Sequence, residues 1–127
     1  EFKYFPPCSN QKVRAIMKGH DALVLPSIVE GRALVQQEAL SCGLPIIVTP
    51  NAGGEDLVEE GITGYLVPIR SPEKLANAIS ALFANWSNKV EVQKICQNKA
   101  EQYSWASYAQ NIIDFNLSNP AQMVEIG

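Results

Sequence analysis

Two carboxylates and a glycine concentrate the chemistry of this chain in one stretch, Pro26-Ser-Ile-Val-Glu-Gly-Arg-Ala-Leu-Val-Gln-Gln-Glu-Ala-Leu-Ser-Cys-Gly-Leu-Pro45. It reads as a strand end, a Glu-Gly turn and a helix that carries a second glutamate. The first N–H groups of a helix have no partner inside it and sit at the positive end of its dipole, so they favour an anion such as a diphosphate. Gly31 lets that anion come close. A helix beginning near Arg32 or Ala33 leaves Glu30 in the turn before it and puts Glu38 about two turns further along. Eight residues at ~1.5 Å each make roughly 12 Å of helix axis, comparable to a sugar, two phosphates and a ribose laid end to end. One carboxylate can then accept hydrogen bonds from sugar hydroxyls and the other from ribose hydroxyls, with the phosphates between them.

Taken singly, each of these residues also has a plainer role. A Glu-Gly turn before a helix is common, Glu38 suits a solvated helix face, and Gly53-Gly54 needs only a tight turn. Arg32 fits either a surface position or a place beside phosphates or an acceptor. Cys42, with no histidine near it in sequence, reads as a small buried residue at a helix end and not as a nucleophile. His20 follows Gly19 at a helix end, where a carbonyl hydrogen bond suits it, and Trp86, Trp105 and Tyr108 read as packing aromatics.

The elements that must position these groups alternate along the chain. Phe2 to Pro6 reads as a strand, Gln11 to Lys18 as a helix capped by Ser9-Asn10, and Ala22 to Pro26 as a strand buried on both faces. The helix from Ala33 to Cys42 ends at Gly43 and Pro45, and a second doubly buried strand runs from Pro45 to Thr49. Asn51 to Asp56 is a turn-rich loop opening a short helix over Asp56 to Glu60, followed by a last strand from Gly64 to Pro68. Ser71-Pro72 starts a helix to Trp86 with Leu75, Ala78, Ile79, Leu82 and Phe83 on one stripe. Helices over Val90 to Gln102 and Ser104 to Phe115 follow, with the tail from residue 119 to 127 frayed. The expectation is an α/β fold: a Rossmann-like parallel sheet of about four strands flanked by helices, with C-terminal helices, filling residues 1–118.

Bulk properties narrow the partners. At 127 residues, 46% hydrophobic and 18% charged, the chain makes one domain of modest core. A net charge of -3 argues against a general nucleic-acid binder. Cys8, Cys42 and Cys96 are odd in number and widely spaced, which excludes a disulfide framework or zinc site and fits a cytoplasmic location. No apolar run is long enough to cross a bilayer, and nothing at Glu1 to Phe5 resembles a signal peptide. Opening on Glu1 without a methionine is what a piece of a longer protein would show.

Pro26-Ser27, Glu30-Gly31, Glu38-Ala39-Leu40, Cys42-Gly43-Leu44-Pro45, Gly53-Gly54, Gly61, Gly64 and Leu66-Val67-Pro68, in that order, resemble the C-terminal donor domain of family 4 glycosyltransferases. The likeness spans most of Phe2 to Trp86 and continues more loosely to about Phe115. It implies half of a GT-B fold, two Rossmann-like domains facing a cleft, and sugar transfer from a nucleotide donor with retention of configuration and no metal or other cofactor. By that likeness Glu30 holds donor-sugar hydroxyls and stabilises positive charge at the anomeric carbon, while Glu38 holds the ribose. N–H groups near Arg32 and Ala33 then address the sugar, and those of Leu34 and Val35 the diphosphate. The implied partners are a nucleotide-sugar donor and a saccharide, lipid-linked or other acceptor, with peripheral membrane association through an absent domain.

The chain departs from the pattern in places. The family usually has an aromatic residue and a glycine where Arg32 and Ala33 stand, and two residues before a glutamate where Glu55 directly follows Gly53-Gly54. The roles of Arg32 and Glu55 stay open. The first strands of the donor domain, with their basic pair for the diphosphate, and the acceptor domain have no counterpart here. The isolated chain is therefore expected to bind donor weakly without turnover, and its helix from Ser104 to expose apolar surface or swap between chains. A noncatalytic nucleotide-sugar or partner-binding module is the alternative. A flavodoxin-like or dinucleotide binder ranks last, because no G-x-G-x-x-G follows the first strand.

Overall fold

The computed structural model describes residues 1–118; the expected frayed tail at 119–127 lies outside the described residues. Three short strands, β1 (Leu23–Leu25), β2 (Ile46–Val48) and β3 (Gly64–Leu66), form a parallel sheet in the order β1-β2-β3. Leu23 stands opposite Ile46 and Ile46 opposite Gly64, so β2 is central. Between and after the strands run α1 (Asn10–Lys18), α2 (Leu34–Ser41), α3 (Pro72–Ala84), α4 (Lys89–Glu101) and α5 (Trp105–Ser118).

Side chains alternate across a strand, and in β2 that alternation divides the core. Ile46 and Val48 join Leu40, Leu57 and Cys96 in a cluster on the side of α2 and α4, whereas Ile47 joins Val67, Ala78 and Leu82 of the α3 side. All three β2 residues are fully buried, and burying such a side chain contributes about 1.5–3 kcal/mol each. Parallel strands covered on both faces read as a continuous apolar run. Pro45 to Thr49 conforms.

The helices begin where their caps direct. Asn88 Oδ1 accepts the Glu91 N–H at 3.2 Å while its Nδ2 donates to the Glu91 carboxylate at 3.1 Å, a reciprocal cap that starts α4. Ser104 Oγ accepts the Ser107 N–H at 3.1 Å at the start of α5. Pro72 opens α3, where its missing N–H costs nothing. His20 Nδ1 donates to the Ile16 carbonyl at the end of α1, the local bond expected of it.

The structure corrects four local expectations. Phe2 to Pro6 is not a strand, so the sheet has three strands and not about four. Phe2 and Tyr4 lie exposed with no neighbouring strand to take their N–H and C=O groups, and Pro6-Pro7 offers no donors. β1 is not buried on both faces: Leu23 and Leu25 turn to the core, but Val24, on the outer strand, is 39% exposed. The helix expected over Asp56 to Glu60 is a single 3-10 turn, Glu55–Leu57, cut short as Val58 goes extended. Ser71 precedes α3 as expected, but its side chain makes no capping bond.

Candidate functional site

The turn from Pro26 to Ala33 follows β1, the turn from Thr49 to Gly54 follows β2, and both emerge on the same carboxyl side of a parallel sheet. That edge is where open α/β sheets receive ligands. A ladder of bonds laces the two turns together. Thr49 Oγ1 donates to the Ser27 carbonyl, Asn51 Nδ2 to the Ile28 carbonyl at 2.8 Å, and the Glu30 N–H to the Asn51 carbonyl at 3.0 Å. The Ala52 carbonyl accepts twice, from the Ala33 N–H at 3.4 Å and from Gln36 Nε2 at 2.7 Å.

Close approach of these turns explains the paired glycines. A Cβ on Gly53, where φ is +67°, would come within 2.6 Å of the Gly31 carbonyl oxygen. A Cβ on Gly54 would fall 1.7 Å from Gln36 Oε1. Only glycine lets the second turn seat against the first and against α2. Gln36 is wholly buried, and its Oε1 has no hydrogen-bond partner among the described residues.

The predicted site residues converge here. Glu30 stands in the turn and Glu38 inside α2, exposed and half-buried respectively, and among the described residues neither carboxylate has a hydrogen-bond or ion-pair partner. Gly31 is exposed, with nothing within 4 Å of the position a Cβ would take. α2 starts at Leu34 with Ala33 as its N-cap, and Ala33 has no side chain able to cap it. The amides of Arg32, Leu34 and Val35 have no protein acceptor among the described residues, whereas that of Ala33 is turned to Ala52. An anion lying on this tip would meet the unpartnered N–H groups and the dipole's positive end together.

The Arg32 side chain points elsewhere. Its Nη2 lies 3.1 Å from Asp56 Oδ2 and its guanidinium 5.1 Å from the centre of the Tyr103 ring. Tyr103 Oη in turn donates to the Asp56 carbonyl at 3.0 Å. Burial, with the Asp56 carboxylate close by, raises the Tyr103 hydroxyl above the usual phenol range. Glu59 holds the Lys99 ammonium, 2.8 Å away, above its ordinary value. Sequence reasoning passed over Gln36, Asp56 and Tyr103. Only the shortened interval between Gly54 and Glu55 signalled that this corner is unusual.

Other features lie apart from this tip. A cavity of about 260 Å³ runs beside β3 and α3, lined by Glu60, Tyr65, Lys74 and Asn77 among others. The α2 tip is an open shelf, with Glu30, Gly31, Arg32 and Leu34 all exposed. Cys42 is buried and unbonded, in keeping with its packing role. Among the described residues no three His, Cys, Asp or Glu side chains are grouped to hold a metal ion, and no helix is long and apolar enough to cross a membrane.

Comparison with known proteins bears on the family and the fold. The family model of the group 1 glycosyl transferases matches residues 1–103. The chain is 26% identical over 123 residues to a D-inositol 3-phosphate glycosyltransferase of Corynebacterium urealyticum, covering 97% of this chain and 29% of that protein. It is 31% identical over 105 residues to sucrose synthase 4 of Oryza sativa subsp. japonica, covering 79% of this chain and 13% of that protein. In fold it matches a sucrose-phosphate synthase from Thermosynechococcus elongatus with a TM-score of 0.77 at 24% identity, over 95% of this chain and 31% of that one. The chain thus spans less than a third of the length of each of these proteins.

Proposed function

This chain belongs to the glycosyl transferases group 1 family, and from that premise we propose that it is the donor-binding part of a retaining glycosyltransferase that moves a sugar from a nucleotide diphosphate to a saccharide, lipid-linked or other acceptor. One observation carries the reading. Two carboxylates, Glu30 and Glu38, flank the amides of Leu34 and Val35 at the N-terminus of α2, on the carboxyl side of the parallel sheet, and none of the four has a partner among the described residues. In this reading the sugar, the diphosphate and the ribose of a nucleotide sugar each have a candidate group along that line.

In this reading the diphosphate rests on the Leu34 and Val35 amides, which supply fixed partial positive charge as the leaving group gains negative charge. Glu38 accepts hydrogen bonds from the ribose hydroxyls. Glu30 accepts them from the sugar and stabilises positive charge as it develops at the anomeric carbon. The Arg32 amide completes the sugar end, and Ala33, whose amide is turned to Ala52, serves by fixing the turn. The helix end supplies about half a positive charge toward the diphosphate, and the family likeness leads us to expect the rest from basic groups and not from a metal. The shelf is open, so turnover needs a second surface to close over the donor and exclude water. The 127 residues alone then bind donor weakly and do not turn over.

The test is sugar transfer from labelled nucleotide sugars by the protein that carries this chain, compared with its Glu30→Ala and Glu38→Ala variants. Loss of transfer in both supports the assignment. Full activity in both, with the variants folded, refutes it.

A further inference from the structure

The proposed site leaves one group of residues unexplained. Arg32 lies in the turn between the two carboxylates, yet its guanidinium is engaged by Asp56 at 3.1 Å and lies over the Tyr103 ring at 5.1 Å. Tyr103 closes the triangle through its bond to the Asp56 carbonyl. These three residues come from three separate places: the turn after β1, the 3-10 turn after Gly53-Gly54, and the corner between α4 and α5.

A partly exposed ion pair contributes little to global stability. Its geometry has another use. Arg32 is the neighbour of Gly31, and Gly31 has no side chain with which to hold the turn; a Cβ on Gly53 would also meet Arg32 Cα at 3.1 Å, so the backbone there has little room on one side. The guanidinium adds a side-chain anchor to the same segment, at Asp56 three residues past Gly53, and to the Tyr103 ring. A planar fork against a carboxylate and an aromatic face fixes direction as well as distance.

We infer that Arg32 is a positioning residue and not a phosphate ligand: bolted to Asp56 and Tyr103, it fixes the Gly31–Ala33 turn and thereby the aim of the amides at the start of α2. This rests on the proposed donor site for its consequence, though not for its structural content. Because Tyr103 lies just ahead of the Ser104 cap of α5, the bolt also ties the turn to the C-terminal helices.

The experiment uses Arg32→Met, Asp56→Asn and Tyr103→Leu, with Tyr103→Phe as the conservative partner that keeps the ring. Two readouts are taken in the protein that carries this chain: amide hydrogen exchange over residues 30–35 without ligand, and affinity for whichever of UDP, GDP and ADP the wild type binds best. A bolt predicts faster exchange in all three disruptive variants, with Tyr103→Phe close to wild type. Affinity falls roughly tenfold in each, and the Arg32→Met and Asp56→Asn effects do not add, as expected of residues sharing one interaction. If Arg32→Met weakens nucleotide binding while Asp56→Asn strengthens it, Arg32 is a phosphate ligand released from a competitor, and the inference fails. Unchanged exchange in all three variants also overturns it. Should the wild type bind none of the nucleotides, the donor-site reading fails, and the exchange data still decide whether the bolt exists.

Discussion

Gly54 and Gln36 are matched to each other, because the glutamine reaches from inside α2 to the Ala52 carbonyl and passes where a Cβ at position 54 would lie. Gly54→Ala is therefore expected to destabilise the fold by about 1–3 kcal/mol, the usual range for overpacking. Gln36→Ala in the same chain restores space, so the double variant should recover part of the loss in denaturant unfolding. Glu30 and Glu38 make the opposite case, since neither carboxylate has a partner among the described residues. Glu30→Gln keeps the shape but removes the charge, and should lower kcat by about 100- to 1000-fold, the cost of losing one transition-state stabiliser. Glu38→Ala should raise the donor KM by roughly tenfold or more, as removal of a charged hydrogen-bond acceptor predicts. Steady-state kinetics separate the two. The places of both glutamates, Glu30 in the turn and Glu38 inside α2, were legible from their spacing, because helix geometry alone relates them. The partners of Arg32 were not: Asp56 and Tyr103 lie far along the chain, and nothing local links an arginine to a tyrosine across that interval.

Among the elements, α2 depends most on its neighbour α4. Leu40 is fully buried between β2 and these helices, and Leu40→Ala should cost about 2–5 kcal/mol as a cavity opens. Cys96 of α4 packs in the same cluster, where burial pushes its thiol from 9.0 up to about 12. In the unfolded chain the thiol ionises first, so folded stability is full below pH 9 and falls as pH rises toward 12. The raised Tyr103 hydroxyl acts in the same direction above its ordinary 10.0, and loss of the raised Lys99 charge does so above 10.5. Denaturation midpoints followed from pH 8 upward should fall beginning near pH 9, and Cys96→Val should remove the earliest part of that decline. The helices and the strands β2 and β3 were legible because caps, prolines and apolar runs are local signals. Whether a strand forms depends on a neighbour to pair with, which is why Phe2 to Pro6 read as one and is not, and why β1 has an open face at Val24.

At the scale of the whole molecule, the exposed apolar residues gather on α5. Trp105, Tyr108, Ile112, Ile113 and Phe115 are all exposed there, as expected of the helix from Ser104, but Trp105 and Tyr108 are not the core-packing aromatics the sequence suggested: they meet each other edge to face at 6.0 Å on the surface. The sheet, its helices and the shelf at the α2 tip form a unit that spans less than a third of the length of these relatives. The central claim is that the shelf reads a nucleoside diphosphate from the phosphates at the α2 tip to the ribose at Glu38. The most direct test is calorimetric titration of the protein that carries this chain with UDP, GDP and ADP, then with the 2′,3′-dideoxy analogue of the best binder, in wild type and Glu38→Ala. The account predicts that wild type prefers the ribonucleotide by roughly tenfold, the scale of a charged hydrogen bond, and that Glu38→Ala abolishes the preference while still binding the diphosphate. Equal affinity of the wild type for the ribo and dideoxy forms, or a preference that survives Glu38→Ala, would contradict it.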